Sequence, residues 1–329
     1  LLNKLKDKKI SQIYNKFESN LKLNNNFIVA VSGGPDSLAL SFLTKIYSIK
    51  NSLNAEYFII DHKLRQNSSK EVNFTKNLLK KYSIDLNILN WNGIKPVSNV
   101  QSIARSNRYK LLINAAKKLK VNNILTGHHL DDLYENFFIR ILRGSGLKGL
   151  VSFDEKTNYR KLTLIRPLIK FKKNDLIYIT NNIFTSYIED PSNNDDKFAR
   201  VRIRKLITTL QSEGLDKNKF LLTIKNLKSS NETIKYYVNK NLKDNTSFNK
   251  VKKSVILKKE FFNQPREIVF RSFSEIIKLI GKKFYNVRGK KLDYILDKIK
   301  TTNKTVLKQT LGNCLVKKVN STVIVSKEL

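Results

Sequence analysis

The stretch FIVAVSGGPDSLALSFL, residues 27–43, decides the fold. Its first five residues, Phe27 to Val31, are apolar, mostly β-branched and bounded by turn residues. A buried strand of a parallel sheet reads this way. From Ser37 to about Ile49 the apolar residues take helical spacing. Between strand and helix lies Ser32-Gly33-Gly34-Pro35-Asp36-Ser37. Two glycines permit positive φ and close backbone approach, and the helix N-terminus that follows offers unpaired N–H groups with a partial positive charge. The segment is a phosphate cradle or, on its glycines alone, a tight turn in which Asp36 or Ser37 caps the helix. It is not the Walker A pattern, because no Gly-Lys-Ser/Thr follows.

Outward from this stretch the alternation repeats. AEYFIIDHKLR (55–65) reads as a second buried strand, ending in Asp61-His62 and a basic turn. A helix follows over 69–82, a strand over 84–90, a helix over 99–120, a strand over 122–129, and a helix over 130–144 that closes at Gly144. This order predicts an α/β fold: a doubly wound parallel sheet with ligands at the carboxyl ends of its strands. The turns after Val31, Ile60 and Thr126 all lie at such ends, so they line one crevice. Between 145 and 205 come a strand, LIRPLI, a helix near 172–183, and the polar turn EDPSNNDDKFARVRIRK. Helices then extend to about 242, over 264–280 and over 287–300, before a terminal hairpin, TVLKQTLGNCLVKKVNSTVIVS. The glycine of SEGLDKN interrupts the helical pattern. It divides the chain into a catalytic domain, 1–213, and a smaller, mostly helical C-terminal domain, 214–329, that ends in a β-hairpin.

Composition narrows the function. A chain of 329 residues buries a sizeable core in two domains. No apolar run reaches the roughly 18 residues of a membrane span, so a soluble, cytoplasmic protein with no membrane partner is expected. The start, LLNKLKDKKISQIYNKF, is too charged for a secretory signal and reads as a basic amphipathic helix. The chain has no Met, so its first residues are expected to be missing or processed. Its single cysteine, Cys314, excludes disulfide frameworks, cysteine zinc sites and iron–sulfur clusters within one chain. Three histidines, His62, His128 and His129, leave little for a histidine metal site.

The charge is extreme: 63 basic residues against 27 acidic, a net +36. Abundant Lys, Asn and Ile are what an AT-rich genome encodes, which accounts for part of this excess. So large a surplus over acids favours a polyanionic partner. Residues 206–329 hold 27 basic and 10 acidic residues, so both halves are basic, as when one long polyanion touches both. The 13 arginines say more, because nine fall between Arg105 and Arg204. Where Lys serves as the ordinary positive charge, a retained Arg points to planar, bidentate or stacked contacts.

TGHHLDDLYENFFIRILRGSGLKGL (126–150) is the second dense stretch. Asp132 and Glu135 share a helix face, and acids in a first turn complement the helix dipole. That complementarity does not explain two adjacent histidines, His128 and His129, at a strand's end. Arg105 and Arg108 also share a face. Arg140, Arg143, Arg166, Arg200, Arg202 and Arg204 suit phosphate contacts, although each alone reads equally as a solvated or ion-paired surface group.

SGGPDS is similar to the PP-loop of the ATP pyrophosphatases, which cleave ATP between its α and β phosphates. With DHKLR, ARSNRY, TGHHLDD, RILRGSGLKGL, RPL and EDPSNNDDKFARVRIR following in order, residues 27–205 resemble the bacterial tRNA(Ile)-lysidine synthases. Beyond 205 the resemblance is only in helical and hairpin character. It implies an adenine-nucleotide-hydrolase-like fold, ATP and Mg²⁺ as cofactors, and L-lysine and a CAU-anticodon tRNA(Ile) as partners; a homodimer is compatible with it. The implied reaction adenylates the 2-carbonyl of the wobble cytidine and then displaces AMP with lysine. The resemblance puts Ser32, Gly33, Gly34, Pro35, Asp36, Ser37 and Asp61 at ATP, with Asp36 also at Mg²⁺. It puts Asp36, His128 and His129 at the reacting phosphate, and Arg108, Asp132 and Glu135 at lysine. Arg105, Arg140, Arg143, Arg200, Arg202 and Arg204 are then expected at the tRNA. Leu133, Gln101 and Val201 depart from the usual Gln, Glu and Asn. The rival readings are a tRNA thiolase, which needs catalytic cysteines, an amidotransferase-type synthetase, which needs a glutaminase, and a noncatalytic RNA-binding protein.

Overall fold

A computed structural model describes all residues except 94, 95, 97, 99, 160, 161, 190–196, 198, 250–252, 283–286, 303–305 and 329. Most of the polar turn expected after Glu189 therefore lies outside the described residues, as does the side chain of Gln101. The chain forms two compact units, Leu1–Asp216 and Lys217–Leu329.

The first unit holds strands β1 (Phe27–Val31), β2 (Ala55–Asp61), β3 (Leu86–Asn90), β4 (Asn123–Thr126), β5 (Lys156–Tyr159) and β6 (Leu162–Ile165). They form one sheet in the order β3-β2-β1-β4-β6-β5. Every pairing is parallel except that of the edge strand β5, which runs antiparallel to β6. Its helices are α1 (Lys8–Asn20), α2 (Pro35–Lys50), α3 (Ser68–Lys80), α4 (Val100–Lys118), α5 (Leu130–Leu142), α6 (Leu147–Leu150), α7 (Lys173–Ile183) and α8 (Ala199–Ser212).

Alternate residues of the central strands enter two different cores. Phe27, Val29, Val31, Tyr57 and Ile59 pack with Ile10, Tyr14 and Phe17 of α1, Phe42 of α2, Leu79 of α3 and Ile179 of α7. Ile28, Phe58 and Ile60 face the other way, toward Leu112, Ala115 and Ala116 of α4. Both faces are covered, so these strands read as unbroken apolar runs. The charged N-terminal segment becomes α1 because Asp7 caps it, accepting the Ile10 N–H at 2.9 Å, and because Ile10, Ile13, Tyr14 and Phe17 fall on one buried stripe.

The second unit holds α9 (Lys217–Asn245), β7 (Thr246–Asn249), β8 (Ser254–Leu257), α10 (Arg266–Ile280), α11 (Gly289–Thr301), β9 (Val306–Leu311), β10 (Cys314–Val319) and β11 (Thr322–Lys327). The stretch expected as a terminal hairpin, 305–326, forms three antiparallel strands, β9, β10 and β11. It belongs to a five-stranded antiparallel sheet in the order β7-β8-β11-β10-β9. β7, TSFN, follows α9 directly and is polar, so no period of two marks it. Phe261, Phe273, Ile277, Leu292 and Cys314 pack in this unit's core.

Candidate active site

The loop after β1 is held open by its own side chains. Ser37 Oγ donates to the Gly34 carbonyl at 2.9 Å and accepts the Ser32 N–H and hydroxyl, both at 3.1 Å. Gly33 has φ +83°, and a Cβ there would come within 2.7 Å of Thr75 Oγ1 and 2.9 Å of Ile188 Cδ1. The site therefore needs glycine twice over, for its φ and for its space. The N-cap of α2 is Gly34, with Pro35 at the first helical position and no side-chain cap. Neither Asp36 nor Ser37 caps the helix, which removes the purely structural account of this segment. Among the described residues, no hydrogen bond takes the N–H groups of Gly33, Gly34, Asp36 or Ser37. Such a row of unspent donors at a helix N-terminus suits a phosphate chain.

The β4–α5 turn lies directly against this loop. A Cβ on Gly127 would sit 3.1 Å from the Asp36 carbonyl oxygen and 3.2 Å from Ser37 Cα. Gly127→Ala should push the turn off α2 and destabilise the fold by about 1–3 kcal/mol, the cost of overpacking a tight contact. A thermal melt checks this, and an unchanged midpoint would mean that the turn yields freely.

His129 is the buried N-cap of α5. Its Nδ1 accepts the Asp131 N–H at 3.2 Å, and Asp132 Oδ2 accepts the His129 N–H at 2.9 Å, closing a capping box. Nε2 lies 3.5 Å from Asp36 Oδ2 and 3.7 Å from Asp132 Oδ2. Burial works against a charged ring here, but the bond to Asp36 and the charges of Asp132 and Asp131 outweigh it, holding the His129 pKa above its ordinary value. Full protonation would forfeit the long Nδ1 bond, a smaller loss than the gain beside two carboxylates. A ring whose pKa rises on folding stabilises the fold fully below the unfolded value, about 6.5, and that contribution is lost as pH climbs through the folded value. The stability gap between the wild type and His129→Gln should accordingly shrink as pH rises above about 6.5. Denaturation midpoints measured across that window decide it, and a constant gap would show the ring neutral throughout.

Around this cluster runs a cleft lined with arginine. Arg108, on α4, keeps an exposed surface while its guanidinium is crowded by protein; burial, and then Arg105 and Arg200, press against its charge, with Tyr109 opposing. Arg105 donates to Tyr109 Oη at 3.2 Å and lies over that ring. Arg140 feels burial first and then Arg143 and Arg105. His128 bonds Thr126 Oγ1 at 2.8 Å through Nδ1, and burial, with Arg166, Arg105 and Arg200 behind it, drives its pKa down against the pull of Asp132. Asp132 is held below the usual carboxylate range: burial raises it, but His129, His128 and Arg200 lower it further. Glu135 is 3% exposed; Arg204 Nε reaches its Oε1 at 2.5 Å, and Arg200 Nε lies 3.9 Å from Oε2. Burial still leaves its pKa raised. The cleft thus joins an acidic floor to a cationic wall.

Several expected residues do not join it. The Asp61 carboxylate accepts from Ser68, from Ser69 at 2.6 Å and from the Lys63 N–H at 3.0 Å, so it is engaged in fastening the start of α3. Arg166, read as a phosphate contact, turns inward. Its Nη1 donates to the Asp154 carbonyl at 2.6 Å and to Thr157 Oγ1 at 2.9 Å, and its plane covers Phe153. It ties β5 to β6. Arg202 lies half a turn away from Arg200 and Arg204 on α8 and donates to the Lys197 carbonyl. Arg143, exposed at the end of α5, does stay beside the site, close enough to press on the charge of Arg140. Leu133 and Val201, two of the departures, are buried.

The geometry agrees with comparisons to known proteins. The model of the PP-loop domain matches residues 2–210. A tRNA(Ile)-lysidine synthase from Wolbachia pipientis wMel is 31% identical over 316 residues, which covers 95% of this chain and 73% of the relative. The chain belongs to the tRNA(Ile)-lysidine synthase family. The synthase from Wolbachia sp. subsp. Brugia malayi is 30% identical over 93% of this chain and 71% of its own length. The synthase from Orientia tsutsugamushi is 37% identical, over 60% of this chain and 44% of its own. Among solved structures, a U34-tRNA thiolase from Methanococcus maripaludis with its [4Fe-4S] cluster aligns with a TM-score of 0.58 at 18% identity, covering 67% of this chain and 78% of that one. That likeness concerns the fold alone.

Four residues of the site carry no sequence signal strong enough to single them out. Thr75 and Ile188 shape the pocket around Gly33, Gly127 permits the contact of the two turns, and Tyr109 holds Arg105. Gly127 and Tyr109 lie inside the motifs TGHHLDD and ARSNRY, whereas Thr75 and Ile188 lie in none.

Proposed function

We propose that this chain ligates L-lysine to C2 of the wobble cytidine in a CAU-anticodon tRNA(Ile), cleaving ATP to AMP and pyrophosphate. The cytidine O2 attacks the α-phosphorus as the bond to the β-phosphate oxygen breaks and pyrophosphate leaves. The lysine amine then attacks C2 and loses a proton, and the C2–O2 bond breaks to release AMP. Family membership supports the overall reaction. The observation that carries the chemistry is the N-terminus of α2, without a side-chain cap, beside Asp36, whose Oδ1 is buried and has no hydrogen-bond partner among the described residues. Free N–H donors aimed at a leaving pyrophosphate stabilise charge as it develops.

An unpartnered carboxylate oxygen fits Mg²⁺, which is held by one or two carboxylates together with substrate phosphates. Among the described residues no group of three or more His, Cys, Asp or Glu side chains forms a metal site, as expected where the nucleotide completes the shell. Asp36 would hold the ion, and the ion would neutralise charge on the pyrophosphate. His129 orients Asp36 through Nε2. Arg108 suits the carboxylate of lysine, and Asp132 and Glu135 suit its ammonium groups. Arg105, Arg140, Arg143, Arg200 and Arg204 supply cations for the RNA backbone.

A thiolase reading finds no support, because Cys314 is buried in the core of the second unit with Sγ 3.4 Å from the Ile277 carbonyl. No helix among the described residues is long and apolar enough to cross a membrane, and a cytoplasmic place of action suits a tRNA substrate. Incubation with ATP, Mg²⁺, labelled lysine and the CAU-anticodon tRNA should attach label to RNA, with one AMP and one pyrophosphate per lysine. ADP and phosphate as products would overturn the assignment. RNA binding without pyrophosphate release would leave a noncatalytic binding protein.

A further inference from the structure

The outward face of α9 carries an aromatic pair that the active site does not use. Val238 and Asn241 turn inward, and Asn241 Nδ2 lies 3.3 Å from both the Phe261 carbonyl and Ser272 Oγ. With 3.6 residues per turn, this orientation sets Tyr236, Lys240 and Lys243 on the opposite side, with Tyr237 flanking them. Tyr236 is 65% exposed and Tyr237 50% exposed. Their rings stand 5.4 Å apart at 85°, an edge-to-face pair held in solvent. Lys240 and Lys243 are exposed one and two turns along and make no ion pair among the described residues. The unit that bears them, residues 217–329, holds 27 basic residues against 8 acidic.

Charge and shape together specify an occupant. Lysines alone would suit any phosphate backbone, duplex or single-stranded. Aromatic rings facing outward add something only where base faces are free, because a helical stem hides them in its stack. The charge surplus selects a polyanion over an acidic patch on a protein, and the rings select unpaired nucleotides over a stem.

We propose that this face of α9 binds unpaired nucleotides of the RNA, stacking a base on Tyr236 and Tyr237 with flanking phosphates on Lys240 and Lys243. The proposal rests on the reading of a tRNA partner above and adds to it a contact surface outside the catalytic unit.

The test is titration of the CAU-anticodon tRNA against the full chain over a range of salt concentrations. Four proteins are compared: the wild type, Tyr236→Ala/Tyr237→Ala, Tyr236→Phe/Tyr237→Phe and Lys240→Gln/Lys243→Gln. The Ala variant should raise Kd about tenfold, as expected for one lost stacked base. Its slope of log Kd against log salt should stay at the wild-type value, since stacking releases no counterions. The Phe variant should bind as the wild type does. The Lys variant should flatten the slope by about 1.4, two single-strand phosphates at roughly 0.7 each. Circular dichroism and the rate of pyrophosphate release in the absence of limiting RNA control for folding. Wild-type affinity in the Ala variant would overturn the inference alone, and so would an equal loss in the Phe variant. If the Ala variant instead turned a self-associating wild type into monomer with RNA affinity unchanged, the face would belong to a second copy of the chain and the inference would fall. A wild type that binds no tRNA would overturn the RNA reading itself.

Discussion

Replacing Asp36 with Asn should yield a folded protein that releases pyrophosphate at least about a hundredfold more slowly than the wild type, a loss on the scale of removing one electrostatic stabiliser from an active site. The substitution is nearly isosteric, and Asp36 contributes no cap to α2, whose N-cap is Gly34. A purely structural Asp36 would therefore change little when altered. Its carboxylate instead faces His129 Nε2 at 3.5 Å through Oδ2 and keeps Oδ1 buried without a partner among the described residues. A buried polar atom left unpaired is costly unless a ligand completes it. The measurement is pyrophosphate release under saturating ATP, set beside a thermal melt of the same sample. A dead enzyme with a midpoint within a few degrees of the wild type supports the role; a slow enzyme that has also lost its cooperative melt does not. Because His129 is drawn to Asp36, the Asn variant should also lower the His129 pKa toward its ordinary value, visible in the ring's proton shifts.

The parts of this protein that are legible in the sequence are those that local chemistry decides. Buried parallel strands need apolar side chains on both faces, so β1, β2 and β4 announce themselves as runs, and the loop after β1 announces itself by breaking one. Helix periodicity placed Arg105 with Arg108 and Asp132 with Glu135 before any tertiary contact was known. Tertiary contacts decided the rest. Arg166 and Arg200 look alike in sequence, and only Phe153, Thr157 and the Asp154 carbonyl turn the first inward. Asp61 stands at a strand end like a ligand-binding acid, and two serines of the next helix claim it. Gly127 owes its importance to the 3.1 Å that a Cβ there would leave to a residue 91 positions away, which no local pattern encodes. Strands β7 and β8 are four residues each; β7 pairs with β8, and β8 gains its other partner from β11, far along the chain.

Glu135 is where the site's two kinds of charge meet, and its substitution should separate lysine binding from ATP binding. Its Oε1 is taken by Arg204 at 2.5 Å, while Oε2 has no hydrogen-bond partner among the described residues and lies 3.9 Å from Arg200. An ammonium group arriving at Oε2 gains a charge-assisted bond, about 1.5–3 kcal/mol, so Glu135→Gln should raise the lysine KM by roughly 10- to 150-fold. The KM for ATP should stay within about twofold, since the phosphate donors belong to the loop after β1 and not to α5. Arg204→Gln tests the same carboxylate from the other side. Burial already raises the Glu135 pKa, and Arg204 is the first influence opposing it. Without that guanidinium the pKa climbs further, more of the carboxyl is protonated near neutrality, and lysine binds less well. Raising the pH through the new pKa restores the carboxylate, so the lysine KM of Arg204→Gln should fall as pH rises, more steeply than that of the wild type. Steady-state kinetics with lysine and ATP varied separately across that range provide the measurement. Equal changes in both KM values would move Glu135 to the phosphates, and a pH-independent KM in Arg204→Gln would mean that Arg204 does not hold the carboxylate in its charged form.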